Sequence, residues 1–389
     1  MLGMKNTERF KQFISACDFV LVGLVLFLCI GGLVVIYSAV RDSNNPVVYS
    51  SFRSQIIWLA TGLAVMVIFA VVDYQFICKF YIPLAVLAIA LLVVVLFIPP
   101  LRENFPRRWL HIPGYSPNVQ PSEFSKLFLL IFFAKYIDKM QEKINNILVI
   151  LSMLVIGLLP VGLIIIQPSL TAGVLQLVIL LVVLYLSGIK YKYIVIGFLV
   201  AVPLFLFFIY DLNREEHLIV DSIFESYQLE DRIKPFFGIN VTDDNTHQSE
   251  RSVQAIGSGQ LIGKGLFNNT VIVPLAHNDF IFTIIGAEFG FIGCILVIIV
   301  MFMVILKCFA AAERSDSLCG KLLASGIGAM IGAQAFLHIG VTTQILPNTG
   351  IPLPFISAGG SSMWINLAAI GIVLNVGMKP ARNNIFADG

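Results

Sequence analysis

The chain has 389 residues, 58% of them hydrophobic and 12% charged, with a net charge of +2 and a mean hydropathy of +0.90. A soluble domain of this length carries roughly twice that charged fraction, which excludes a water-soluble enzyme; nothing in the charge points to a nucleic-acid partner. Apolar stretches of spanning length recur along the whole sequence, so residues 1–389 read as a single domain, an all-α polytopic membrane protein.

In chain order, Lys5, Arg9 and Lys11 precede an apolar stretch from Phe19 to about Tyr37. That stretch is too long for a signal peptide and lacks a small-residue cleavage site, so it is expected to remain as the first helix. Further helix cores are expected near 54–73, 80–99, 121–138, 146–166, 168–188, 192–210, 279–306, 322–345 and 360–378, about ten spans in all. Two polar stretches interrupt them. One is 100–120, rich in Arg, Pro and Gly. The other is 211–278, between the seventh and eighth spans, with ten acidic and five basic residues, too polar to cross a membrane and too long for a mere connector. The six cysteines (Cys17, Cys29, Cys78, Cys294, Cys308, Cys319) form no CxxC pair and lie in or beside apolar runs, which argues against a disulfide framework or a structural zinc site. The five histidines show no tight ligand spacing.

Lysine and arginine in the short loops set an orientation. With both termini inside, the cytoplasmic loops hold Lys79, Lys135, Lys139, Lys143, Lys190, Lys192, Lys307, Arg314 and Lys321, while the outer short loops hold Arg41, Arg53, Arg102, Arg107 and Arg108. The arginines in 100–120 run against the bias and point to an anionic ligand, such as a lipid phosphate, on the outer face.

Four segments carry polar groups that are costly at membrane depth. QPSEFSK (120–126) opens the fourth span, with Pro121 at a first-turn position and Glu123 and Lys126 on one helix face. Either Lys126 snorkels outward from an interfacial ion pair, or it binds a phosphate while Glu123 holds it. GSGQLIGKG (257–265) lacks the P-loop spacing and is expected to be flexible backbone beside a site. PLAHNDFIFTIIGAEFGFIG (274–293) opens the eighth span; Asn278 or Asp279 is either a helix cap or part of a site. Glu288, nine residues on, points to the opposite side from Asp279 and is expected to find a structural partner on a neighbouring helix. The nearly uncharged PNTGIPLPFISAGGSS (347–362) joins the ninth and tenth spans, and about 347–359 is expected to be a re-entrant outer segment, since irregular backbone at membrane depth must be buried in protein or line a cavity.

Together RRWLHIPGYSPNVQPSEFSK (107–126), AIGSGQLIGKG (255–265), HNDFIF (277–282) and LPNTGIPLPFISAGGSS (346–362) resemble the SEDS family, the membrane glycosyltransferases RodA, FtsW and SpoVE that build peptidoglycan. The resemblance runs from Phe19 to about Lys379 and leans toward the rod-elongation member. It implies polymerisation of lipid II on the outer face of the cytoplasmic membrane: the acceptor's GlcNAc 4-hydroxyl attacks the anomeric carbon of the donor's MurNAc, and lipid pyrophosphate leaves with inversion. Asp279 matches the family's essential aspartate and is implied as the general base. Lys126 and Arg108 are implied to stabilise the pyrophosphate, with Glu123, Trp109, Gln120, Ser258, Lys264, His277 and Ser357 as further substrate-binding residues. No cofactor is required, although a divalent cation is left open. The implied partner is a class B penicillin-binding protein, a transpeptidase. Three positions depart from the family: Ser169 follows Gln-Pro where an Asp is usual, Leu275 replaces a Glu, and Ala287 replaces the first of two Glu. They keep two other readings open, a lipid II flippase and a weakly active scaffold for the transpeptidase.

Overall fold

A computed structural model describes residues 16–41, 46–98, 108–112, 115–167, 169–212, 243–268, 277–348 and 350–387. Helices fill most of them: α1 (Phe19–Arg41), α2 (Pro46–Val71), α3 (Tyr74–Lys79), α4 (Tyr81–Phe97), α5 (Pro121–Met140), α6 (Ile147–Ile166), α7 (Leu170–Leu186), α8 (Tyr191–Leu212), α9 (Asp243–Ser258), α10 (Ile281–Arg314), α11 (Leu318–Thr342) and α12 (Gly360–Ala387). Six of these, α1, α2, α6, α10, α11 and α12, are long and apolar enough to cross a membrane. Shorter apolar helices are α4 and α7.

Exposed apolar side chains such as Phe97, Leu148, Leu199 and Phe291 are what a lipid-facing surface requires. The opposite condition holds at the centre. α11 and α12 bury most of their length, α12 packing along α2 and α11 against α10, α5 and α7. Both are rich in Gly, Ala and Ser, which lets helix backbones approach where no hydrophobic drive separates helix from lipid. At one end of the bundle the Lys307 ammonium pairs with the Asp18 carboxylate at 3.0 Å, joining α10 to the residue before α1. Burial raises the Asp18 pKa, but the hydrogen bonds from Lys307 and the Leu21 N–H outweigh it and hold the carboxyl below its usual value.

One element was not expected. Leu110–Ile112 (β1) and Tyr115–Val119 (β2) form a short antiparallel hairpin, with Leu110 opposite Val119, immediately before α5. The expected outer loop is described only in part. Its segment 243–258 is the helix α9, docked on α10 and α11: the buried Ser252 hydroxyl lies 2.6 Å from Thr283 Oγ1 and donates to Thr342 O at 2.8 Å. Residues 213–242, with Pro274 and Leu275, lie outside the described residues.

The glycine-rich segment after α9 corrects the expectation of flexible backbone. α10 is interrupted at Gly290, which has a positive φ of 64°. A regular helix would pair Phe291 and Ile292 N–H with Ala287 and Glu288 C=O. Here Lys264 N–H donates to Ala287 O at 3.0 Å and Gly265 N–H to Glu288 O at 3.0 Å, while Phe291 N–H donates to Gln260 O at 2.8 Å and Ile292 N–H to Leu261 O at 3.1 Å. The segment is spliced into the break and satisfies all four groups, as buried backbone requires. Only glycine fits: a Cβ on Gly263 would lie 2.1 Å from Glu288 O, and one on Gly290 would lie 2.4 Å from Gly263 N.

Candidate active site

α5 begins at Pro121, and the Gln120 N–H donates to Ser361 Oγ at 3.1 Å, so the first turns of α5 and α12 meet. One turn in, Lys126 Nζ lies 2.8 Å from Glu123 Oε2 and 3.0 Å from Gln334 Oε1 on α11. Lys126 is 1% exposed, so it does not snorkel to an interface; the ion pair is inside the bundle. A buried pair of this kind survives only with further hydrogen bonds, and Gln334 supplies one.

Gln334 also faces the irregular segment after α11. Its Nε2 donates to Pro352 O at 2.8 Å and to Ser362 Oγ at 3.3 Å. One helical turn on, His338 Nδ1 lies 2.6 Å from Ile351 O. From α2, Gln55 Nε2 donates to Ser357 O at 3.3 Å, and its Oε1 accepts from Gly359 N–H at 3.0 Å. The backbone is bent sharply, with Gln344 and Phe355 at φ values of 60° and 65°, a region that non-glycine residues adopt only when their surroundings compel it. Ile351, Leu353, Phe355 and Ile356 are buried, which satisfies the condition for irregular backbone inside a membrane protein.

This segment holds the approach to α10. Ala358 N–H donates to His277 O at 2.9 Å. Gly350 has φ 66°, and a Cβ there would lie 2.8 Å from Asp279 Oδ2, so the carboxylate rests against its backbone. Asp279 is half-buried. The N-cap position of α10 is Phe280, with no side-chain cap bond; Asp279 is not the cap residue. Burial holds the His277 pKa below the ordinary imidazole value, favouring the neutral ring.

The other sequence candidates are placed as follows. Arg108 and Trp109 stand half-buried just before β1. The Ser357 hydroxyl accepts from Leu353 N–H at 2.8 Å, closing its own turn. The Ser258 hydroxyl donates to Ala255 O at 2.7 Å within α9, and Lys264 takes part in the helix splice through its backbone. Glu288 has its partner on a neighbouring helix, the Ser38 hydroxyl of α1. Ala287 packs with Ala255, Phe280 and Val341 in an apolar patch, whereas Ser169 is buried at the start of α7. Gln55, Gln334 and His338 were missed. Their signal was present: polar side chains inside apolar helices, two of them four residues apart. Among the described residues no three His, Cys, Asp or Glu side chains gather as metal ligands.

Residues 19–381 match the family model for the FtsW, RodA and SpoVE cell cycle proteins. The chain is 33% identical to the probable peptidoglycan glycosyltransferase FtsW of Trichlorobacter lovleyi, over 94% of each sequence. It is 30% identical to that of Bacillus subtilis, over 95% of this chain and 92% of the relative. Its fold is similar to a chain of a peptidoglycan synthase complex that coordinates polymerization and crosslinking, with a TM-score of 0.77 at 26% identity, covering 94% of this chain and 98% of the other. It is also similar to the rod shape determining protein RodA of Thermus thermophilus, with a TM-score of 0.66 at 25% identity, covering 93% and 96%. The chain belongs to the FtsW/RodA/SpoVE family of cell cycle proteins.

Proposed function

We infer that this chain is a peptidoglycan glycosyltransferase that polymerises lipid II at the outer face of the cytoplasmic membrane. The observation that carries the assignment is the family match over residues 19–381. The geometry supports the chemistry: a buried ammonium–carboxylate pair at the start of α5 and a half-buried carboxylate at the start of α10 both adjoin the largely buried segment 350–358, the pair through Gln334 and the carboxylate beside Gly350.

In this reading the bundle has ten spans, both termini are cytoplasmic, and the site opens outward. Asp279 takes the proton from the acceptor's GlcNAc 4-hydroxyl as that oxygen bonds to the anomeric carbon of the donor's MurNAc. The bond from that carbon to the pyrophosphate breaks with inversion, and the leaving undecaprenyl pyrophosphate carries the electron pair. Lys126, held by Glu123 and Gln334, balances the charge that develops there. Arg108 adds to the positive field from the hairpin side. The partner is a class B penicillin-binding protein, which crosslinks the strands made here. Between elongation and division, the division role has the support of the FtsW relatives and the elongation role that of the motif spacing.

Against the scaffold reading, Ala287, where the family carries a Glu, lies in an apolar patch with Ala255 of α9, a setting in which a carboxylate would be costly to bury. The deciding experiment is polymerisation of labelled lipid II by the purified protein, with and without its transpeptidase. Glycan strands made with either, and lost in Asp279→Asn, support the enzyme; none under any condition returns the chain to the scaffold.

A further inference from the structure

α11 offers two polar side chains one turn apart, Gln334 and His338, and both are fully buried. Each donates to one carbonyl of the same dipeptide: Gln334 Nε2 to Pro352 O at 2.8 Å, and His338 Nδ1 to Ile351 O at 2.6 Å. Because a carbonyl oxygen only accepts, the His338 proton sits on Nδ1, leaving Nε2 as an acceptor. That atom is buried and makes no hydrogen bond among the described residues. A leucine would fill the same helix face without burying an unpartnered acceptor, which is destabilising. Packing alone therefore does not account for a histidine here.

The dipeptide links the two halves of the site. From Pro352 the chain of contacts runs through Gln334 to Lys126, whose Nζ donates to Gln334 Oε1 at 3.0 Å. From Ile351 it runs one residue back to Gly350, against which Asp279 rests. We propose that His338 and Gln334 are positioning residues that set the separation between the Asp279 carboxylate and the Lys126 ammonium, by fixing Ile351 and Pro352 on two successive rungs of α11. This rests on the reading of Asp279 and Lys126 as reacting groups. In the transferase the two groups act at opposite ends of one displacement, at the attacking hydroxyl and the leaving pyrophosphate. A shift of either by about 1 Å is enough to cost on the order of a hundredfold in rate.

The test uses the full chain, purified with its membrane domain intact, and fluorescent lipid II. His338→Leu removes the donor to Ile351 O. His338→Asn restores one, since the Asn amide nitrogen is as many bonds from the Cα as His Nδ1. We expect His338→Leu to lower kcat by about ten- to a hundredfold with KM little changed, His338→Asn to recover most of it, and Gln334→Leu to lower kcat likewise. If leucine prevents folding, His338→Met carries the same test. A folded His338→Leu with normal kcat overturns the inference, as does a loss confined to KM or one that Asn does not rescue. The two claims fail separately. Inactive Asp279→Asn beside fully active His338→Leu removes only the positioning role, whereas fully active Asp279→Asn removes the reading on which it rests.

Discussion

Asn in place of Asp279 keeps the size of the side chain and removes the proton acceptor. Because Phe280 holds the N-cap position and Asp279 is half-buried, the fold should change little. The rate of lipid II polymerisation should fall by about 10²–10⁴-fold, the contribution assigned to general acid–base catalysis. Initial rates and thermal unfolding on the same preparations check both; an undiminished rate would sink the base assignment. The Lys126–Glu123 pair needs a different design. Removing either charge alone strands the other inside the bundle, at a cost of about 3–5 kcal/mol, so a loss of activity would say nothing about ligand binding. Removing both, as Lys126→Met with Glu123→Leu, leaves no buried charge. That double variant should unfold near the parent's temperature yet fail to polymerise. If it polymerises normally, the pair is structural and the phosphate role is wrong.

At the scale of elements, the splice between 260–265 and the break in α10 makes a sharp expectation. Gly263→Ala places a methyl against the Glu288 carbonyl, and it also imposes a side chain at φ 90°. Overpacking and a left-handed backbone each cost about 1–3 kcal/mol, so thermal unfolding should drop clearly. Ser258→Ala, which loses only a bond within its own helix, should be nearly neutral; equal stability in the two variants would mean that the splice does not form. This motif also shows where the sequence stops informing. A string of glycines announced unusual backbone, but its partner is the backbone of residues 287–292, and hydrogen bonds between main chains leave no mark in side-chain identity. The pairing of Gln334 with His338 was half legible. Their spacing is visible in the sequence, whereas the carbonyls they hold depend on how residues 350–353 fold back on α11. The hairpin before α5 carried still less signal, since its short strands lie among Pro and Gly in a stretch whose polarity looked like loop.

For the whole molecule, apolar runs marked the six helices that are long and apolar enough to cross a membrane, because spanning length is set by bilayer thickness. They did not tell which helices occupy the centre. That follows from α11 and α12, whose small residues permit close approach and whose polar residues must face protein. Orientation across the membrane is the remaining large-scale property, and the site's role depends on it. The charge bias predicts that Lys190, exposed between α7 and α8, faces the cytoplasm, and that Asn245, in α9, lies outside with Asp279. The backbone bond from Lys190 N–H to Asn145 Oδ1 is untouched by a side-chain exchange, so Lys190→Cys should fold normally. A membrane-impermeant maleimide should label Asn245→Cys in intact cells once the outer envelope admits it, and should reach Lys190→Cys only after lysis. Among the native thiols, Cys29, Cys78, Cys294, Cys308 and Cys319 are buried, and the half-buried Cys17 lies just before α1, so the unsubstituted protein is the background. The reverse labelling pattern would turn the site toward the cytoplasm. Asp279 would then face the side where lipid II is assembled, and polymerisation at the outer face could not be its task.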